Sequence, residues 1–431
     1  MTPRKVAVIG GGPVGLEAAL RARREGHEVL LFEAGHIAEH FARYGPVRLF
    51  TPFRMNSTEL GRGCLRAAGV TLPDPEEILT AAELRRRYLL PLTALPDLRG
   101  VIREGLRVVG IAREGSTKAK SAARGDHPFV LRLENARGEA ARLEHAEVVI
   151  DASGVYAQPN ATGPGGLAAS GEDALGMRLE RHLPDIRGEA RARYAGKRIL
   201  LIGDGRSVSN ALADLDDVVR EGGVGARTRV ELVHRERGRE ILSPVPQGEL
   251  DQLPALRQLQ ERAGRIARES EWIRRHPGAT IAAYRTLPSG AIEATLMDGQ
   301  GRETRLEVDR VLALVGYRPD LALFRELQIH LCYATEGPMA LAAALLAARD
   351  ADPEASKGCL GEVAHGPETL RNPEPDFYVL GVKSYGRRSN FILAVGHAKV
   401  EDVMTLIGVA EPRGAEGVPG AVDPRVNLAP G

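Results

Sequence analysis

Six residues near the start of the chain, Gly10-Gly11-Gly12-Pro13-Val14-Gly15, have the spacing G-x-G-x-x-G. The chemistry this spacing supports is the cradling of a pyrophosphate. Gly10 permits a tight turn, Gly12 lets the backbone approach an anion, and Gly15 lets a helix pack closely on a strand. The helix that follows then aims its free N–H groups and positive dipole end at the anion. Alone the pattern is a weak signal. Here an apolar run, Lys5 to Ile9, precedes it, and helical spacing of Leu16, Ala19, Leu20 and Ala22 follows it. A second apolar run, Glu28 to Phe32, ends in Glu33, eighteen residues after Gly15. Strand, loop, helix and terminal acid agree. Glu33 is expected to accept hydrogen bonds from adenosine ribose hydroxyls and to repel a 2′-phosphate, so this loop should hold FAD or NAD and not NADP.

The arrangement recurs at Gly203-Asp204-Gly205-Arg206-Ser207-Val208, after the apolar run that starts at Arg198. Val208 stands at the third glycine position, which is tolerable if helix and strand sit slightly farther apart. The second strand of this unit, Arg229 to His234, ends not in an acid but in His234-Arg235-Glu236-Arg237. His234, Arg235 and Arg237 favour a 2′-phosphate through charge-assisted hydrogen bonds, with Glu236 working against them. Taken singly, each arginine also reads as part of a solvated basic turn. NADPH is therefore expected over NADH at the second loop. Two dinucleotide sites in one chain imply a flavin and a nicotinamide, with a hydride passing from NADPH to the flavin and electrons onward.

The elements that must position these loops follow from the pattern. After Glu33 comes a long connection, then a helix over Ala81 to Tyr88 and a strand over Arg107 to Ile111. Phe129 to Leu133 and Ala141 to Leu143 flank a turn and read as a small meander lying on the sheet. Glu147 to Asp151 is the next strand. In the second unit the periodicity predicts a helix from Leu253 to Arg275. Thr280 to Ala283 and Ile292 to Leu296 alternate, and Leu306 to Val315 runs apolar toward Gly316. A small-residue helix covers Met339 to Ala348, and a strand over Phe377 to Leu380 precedes a helix from Asn390 to Ile407. The segment from Ile241 to Asp251 reads as a loop.

Composition narrows the classes. The chain has 431 residues, 43% hydrophobic and 27% charged, with a net charge of +1. That length predicts two domains. The charge gives no field for nucleic acid or an anionic membrane. The run Val6 to Ile9 is too short for a signal-peptide core and Met339 to Ala348 is about half a membrane span, so a cytoplasmic location is expected. Cys64, Cys332 and Cys359 are odd in number and far apart, with no C-x-x-C and no metal-ligand spacing.

With these residues on the page, the sequence resembles the two-dinucleotide-binding flavoproteins: the flavin-containing monooxygenases and the thioredoxin-reductase-like pyridine nucleotide oxidoreductases. Besides the two loops, Asp151-Ala152-Ser153-Gly154 is similar to the motif where the chain leaves the FAD domain. Val315-Gly316-Tyr317-Arg318-Pro319-Asp320 is similar to the motif where it returns. Phe377-Tyr378-Val379-Leu380-Gly381 resembles the last FAD motif, with Gly381-Val382 where the family has Gly-Asp and with Lys383, Ser384 and Tyr385 as candidates to compensate.

The resemblance implies an α/β fold: a three-layer ββα FAD-binding Rossmann-like domain (residues 1–185 and 318–410) with an inserted NAD(P)-binding Rossmann-like domain (195–317); the Pro- and Gly-rich tail (411–431) reads from its composition as disordered. It implies Ala152, Ser153, Gly154, Gly381, Asn390 and Phe391 as FAD contacts and Gly316 as a contact of NADPH. It offers Asn56, in Thr51 to Thr58, as a residue beside the flavin, the other reading being a turn residue. The monooxygenase fingerprint F-x-G-x-x-x-H is not recognisable, and His182 in its region reads as structural.

Without a cysteine pair, a dithiol disulfide reductase is disfavoured. Cys332 reads as a small buried hydrophobe, the other reading being a lone redox thiol. The expected activity is an NADPH-dependent FAD monooxygenase oxidising a small molecule with O2 through a flavin hydroperoxide. The alternatives are an NADPH-dependent reductase of a small acceptor, thiol or protein carrier, and a redox-sensing flavoprotein. Oligomeric state is not set by the sequence; a homodimer is compatible with it.

Overall fold

The computed structural model describes residues 2–135, 137–234, 242, 252–351, 365–388 and 391–408. Two parallel five-stranded sheets organise it. The first has the order Phe377–Val379, Val148–Asp151, Lys5–Ile9, Glu28–Phe32, Ile102–Arg103. The second has the order Ile273–Pro277, Arg229–His234, Arg198–Ile202, Arg310–Ala313, Leu179–Glu180.

Each sheet is covered by helices on one face and by an antiparallel three-stranded meander on the other. Because side chains alternate along a strand, one strand feeds both layers. Val6 and Val8 join the helices Pro13–Arg24 and Leu393–Gly408, while Ala7 and Ile9 pack on the meander Leu106–Arg113, Phe129–Asn135, Ala140–Ala146. In the second sheet Ile199 and Leu201 face the helices Arg206–Arg220 and Pro254–Glu269, and Leu200 and Ile202 face the meander Thr280–Thr286, Ile292–Met297, Glu303–Val308. The chain is thus one ββα unit inserted in another. Leu16 and Leu20 of the first helix are fully buried, each contributing about 1.5–3 kcal/mol.

Several boundaries differ from the sequence expectation. The helix expected to run to Arg275 stops at Glu269, and Ile273–Pro277 is instead an edge strand. Its apolar face ends at Ile266 and Ala267, so nothing on the core side rewards another turn. The apolar run from Leu306 to Val315 divides at Asp309: the residues before it belong to the meander, those after it to the parallel sheet. The Asp309 carboxylate accepts from the Arg198 backbone N–H at 2.8 Å and from its guanidinium at 2.9 Å, which fixes the break. Ala81 to Tyr88 is not one α-helix but a turn, Ala81–Leu84, running into a π-helical stretch, Arg85–Leu89.

The domain boundary also moves. Leu179–Glu180 pairs with Arg310–Ala313, and Ala169 and Leu175 lie in the second core. The second unit therefore begins well before residue 185, because apolar side chains upstream complete its meander face. The expected tail, 411–431, lies outside the described residues, as does nearly all of the loop read over Ile241 to Asp251.

Candidate dinucleotide sites and the junction between the domains

The first glycine loop leaves the carboxyl end of Lys5–Ile9. Gly10 has φ +102°, and a Cβ there would lie 2.6 Å from the carbonyl oxygen of Ala152. A Cβ on Gly15 would overlap the carbonyl oxygen of Gly10. Both glycines are required by protein contacts. Gly12 is different: it is the N-cap residue at φ −80°, ψ −177°, and a Cβ there would meet no atom within 4 Å. Among the described residues nothing forbids a Cβ at Gly12. No described side chain caps the helix that starts at Pro13, which leaves its N-terminal N–H groups open. Glu33 closes the loop from the side, accepting from Gly11 N–H at 2.7 Å and Gly35 N–H at 2.8 Å.

The second loop repeats this backbone. Gly203 has φ +124° with the Leu314 carbonyl oxygen 2.5 Å from a built Cβ, and Gly205 caps its helix at φ −83°, ψ −177° with nothing within 4 Å. Val208 is fully buried in the second core, so at the third glycine position packing replaces close backbone approach. Arg206 and Ser207 open the helix, and His234 is buried at the end of its strand. Arg235 and Arg237 lie outside the described residues.

The structure brings the predicted FAD residues together at the carboxyl ends of neighbouring strands. A Cβ on Gly381 would sit 3.7 Å from Val14, one on Gly154 would sit 4.0 Å from Val382, and Phe391 packs against Gly396 beside Val14. Asn390 lies outside the described residues. Lys383 does not point outward from this turn. Its Nζ lies 2.7 Å from Asp151 Oδ2 and 3.1 Å from Ser153 Oγ, with the Asp151 and Lys383 side chains at most 1% exposed.

Asn56 is buried, and its amide serves its own loop. Nδ2 donates to the carbonyls of Thr51 (2.8 Å) and Pro52 (3.1 Å), and Oδ1 accepts from Thr51 Oγ1 at 2.9 Å. The turn-residue reading accounts for all three bonds. Cys64 is buried in the first core, and burial pushes its thiol up. Cys332 is only half-buried, against the expectation of a buried hydrophobe; hydrogen bonding to Thr335 holds its thiol below the usual range. Cys359 lies outside the described residues. Among the described residues no cluster of His, Cys, Asp and Glu could hold a metal, and no helix is long and apolar enough to cross a membrane.

The two crossings between the domains pair with each other. Asn160 N–H donates to Gly316 O at 2.9 Å, Arg318 N–H to Gln158 O at 2.9 Å, and Asn160 Nδ2 to Val315 O at 3.1 Å. Gly316, at φ +81°, lets this ribbon close against Asn160. On the ribbon sits a ring stack that sequence reasoning missed. Tyr156 stacks on Tyr317 at 4.4 Å and on His182 at 5.4 Å, and His40 and Tyr44 of the first domain tilt against Tyr156 at 4.9 and 5.4 Å. His182 Nδ1 lies 2.9 Å from the Tyr317 hydroxyl, which donates to the Arg181 carbonyl at 3.2 Å. Burial pushes His40 down to about 4 and lowers His182, so both rings stack uncharged at neutral pH. The one available signal was scarcity: three of only nine tyrosines meet here.

No protein-family model matches the sequence, and no curated protein does. Solved structures do match in fold. The bacillithiol disulfide reductase of Bacillus cereus superposes with a TM-score of 0.63 at 17% identity, covering 95% of this chain and 100% of that one. The cadaverine monooxygenase of the desferrioxamine pathway of Erwinia amylovora, solved bound to FAD, gives 0.61 at 13% identity over 98% and 99%. The ornithine N-hydroxylase of a Kutzneria species, with reduced FAD, NADP+ and L-ornithine, gives 0.57 at 15% identity over 94% and 99%. The chain has the two-dinucleotide-binding flavoprotein fold. In this fold both glycine loops lie where an open α/β sheet places a dinucleotide, outside the carboxyl ends of the strands. The ribbon and ring stack lie where the two ββα units meet.

Proposed function

We propose that this chain is an NADPH-dependent, FAD-containing oxidoreductase, and within that class a monooxygenase acting on a small molecule. One observation carries the reading: the same anion cradle is built twice, with cap angles that differ by only a few degrees and no protein atom beside the second glycine of either loop. The residues present suit FAD at the first loop. Gly12 and the uncapped helix end would hold the pyrophosphate, Glu33 retains acceptor capacity for a ribose, and the Lys383–Asp151 pair would keep the last FAD motif in register. His234 and the basic residues after it in sequence would hold the 2′-phosphate of NADPH at the second loop. When bound, the flavin supplies a two-electron acceptor for the nicotinamide hydride.

Oxygen as the final acceptor is supported by the monooxygenases of this fold and by the lack of a thiol pair among the described residues: Cys64 is in the first core and Cys332 lies in the Leu331–Pro338 hairpin. A reductase of a small thiol or other acceptor is the second reading, favoured by the lowered thiol of Cys332. The location proposed is the cytoplasm.

The test is the absorbance of the purified protein during anaerobic NADPH addition. A flavin spectrum that bleaches, and returns in air with oxygen uptake, is the expected result. Reoxidation by a quinone or disulfide but not by air would select the second reading. A colourless protein that cannot be reconstituted with FAD would overturn both.

A further inference from the structure

In the ring stack at the domain junction, one phenol stands beside a group that could take its proton. The Tyr317 hydroxyl has a single hydrogen and three neighbours in reach: His182 Nδ1 at 2.9 Å, the Arg181 carbonyl oxygen at 3.2 Å and the Tyr156 hydroxyl. Of the three, the imidazole nitrogen is the one that can carry a proton away. The Tyr317 ring lies nearly parallel to both neighbours, 4.4 Å and 20° from Tyr156 and 5.5 Å and 16° from His182. Tyr44 tilts against Tyr156 at 5.4 Å. Ring contacts therefore run from Tyr44 in the first domain to His182 at the entry of the second.

Burial and charge set the resting state of the pair. Burial raises the phenols of Tyr44, Tyr156 and Tyr317, so all three rest protonated. Burial, with Arg43 and Arg181 nearby, lowers His182, so it rests neutral and Nδ1 can accept. The two arginines are already paired: Glu39 holds Arg43 at 2.6 Å and Glu172 holds Arg181 at 2.8 Å. That pairing softens their repulsion of an imidazolium. A phenol that loses an electron becomes a strong acid, and a buried radical cation is costly. Electron loss is therefore easiest where the proton can leave in the same step. Elsewhere buried phenols meet hydroxyls instead: Tyr284 donates to Thr162 Oγ1 at 2.9 Å, and the Tyr88 hydroxyl lies 3.4 Å from Thr58 Oγ1.

We propose that Tyr317 and His182 form a redox-active tyrosine–histidine pair that discharges one-electron oxidants at the domain junction. The oxidant is of the peroxyl-radical class. One electron leaves the Tyr317 ring, its O–H bond breaks, and the proton forms a new N–H bond at His182 Nδ1. The peroxyl radical takes the electron, adds a proton from solvent and leaves as a hydroperoxide. Tyr317 is left as a neutral phenoxyl radical stacked on Tyr156. The site does not rest on the flavin reading, since no dinucleotide takes part in the step.

The test is electron paramagnetic resonance of the full-length protein, frozen after mixing with hexachloroiridate(IV), an outer-sphere one-electron oxidant. Tyr333 is 95% exposed and open to the same oxidant, so every sample carries Tyr333→Phe. The expected result is a phenoxyl radical signal that narrows when ring-deuterated tyrosine is incorporated. Tyr317→Phe keeps the stacked ring and should cut the signal at least tenfold. His182→Phe keeps a ring face, removes the proton acceptor and should do the same. Radical formation in the parent should also be slower in D2O than in H2O, a reading that needs no variant at the pair. No radical in the parent, an undiminished signal in Tyr317→Phe or in folded His182→Phe, or equal rates in the two solvents would each overturn the proposal. Oxidised flavin carries no unpaired electron, so the signal reads the same in yellow or colourless protein. A flavoprotein that NADPH bleaches but that forms no phenoxyl radical sinks this pair and keeps the proposed function. A colourless protein that forms the radical at Tyr317 does the reverse.

Discussion

Lys383 and Asp151 form an ion pair at 2.7 Å, deep in the first domain, and join the turn after the last strand to the end of the strand beside it. Each side chain would be a buried, uncompensated charge without the other. Lys383→Met should therefore destabilise the protein by about 3–5 kcal/mol, read as a shift in the urea midpoint. Asp151→Asn combined with Lys383→Met should recover a large part of that loss. Additive losses would show that the two residues do not act as a pair.

The glycines of the first loop separate folding from ligand binding. Gly15→Ala places a Cβ on the Gly10 carbonyl and should cost about 1–3 kcal/mol of stability. A Cβ at Gly12 meets no described atom within 4 Å, so Gly12→Val should fold with an ordinary melting temperature and fail to retain FAD. Flavin retention in a folded Gly12→Val protein would remove the pyrophosphate from this loop.

The proposed preference for NADPH rests on Arg235 and Arg237. The double replacement Arg235→Ala with Arg237→Ala should raise KM for NADPH tenfold or more and leave KM for NADH nearly unchanged, since each charge-assisted contact contributes about 1.5–3 kcal/mol. An unaltered ratio of the two constants would refute the assignment.

The ring stack should hold the domains in one orientation. Replacing Tyr156 with Ala removes contacts to Tyr317, His182, His40 and Tyr44 together. We expect a loss of about 1–3 kcal/mol, aromatic pairs contributing roughly 0.5–1.5 kcal/mol each beyond burial, and faster proteolysis of the crossing segments. Protease resistance equal to the parent protein would show that the paired ribbon alone fixes the junction.

Asp214 makes the pH dependence specific. Its folded value, about 6, lies above its unfolded value of about 3.9. The folded state therefore holds the extra proton, and the stability this contributes is present below the unfolded value and lost as pH rises to about 6. Asp214→Asn should match the parent protein near pH 4 and exceed it above pH 6 by about 1–2 kcal/mol, discounted for partial exposure. Thermal melts across pH 4–8 check this. A constant difference between the two proteins would mean that Asp214 is ionised throughout.

The crossings at Asp151 and Gly316 followed from the resemblance of those residues to family motifs, while local spacing by itself determined both glycine loops, the strands that lead into them and the acid at Glu33. These are short-range requirements: a tight turn, a close helix, an open helix end. A few neighbouring residues encode them because the backbone angles of those residues are the requirement. Only the tertiary structure decided the end of the helix at Glu269 and the division of the apolar run at Asp309. It also decided that Lys383 meets Asp151, that three tyrosines and two histidines share one stack, and that burial raises the Asp214 carboxyl against the pull of Arg187 and Arg262. In each of these the outcome depends on what a distant segment offers as packing surface, hydrogen-bond partner or charge, and residue spacing along the chain carries no record of that.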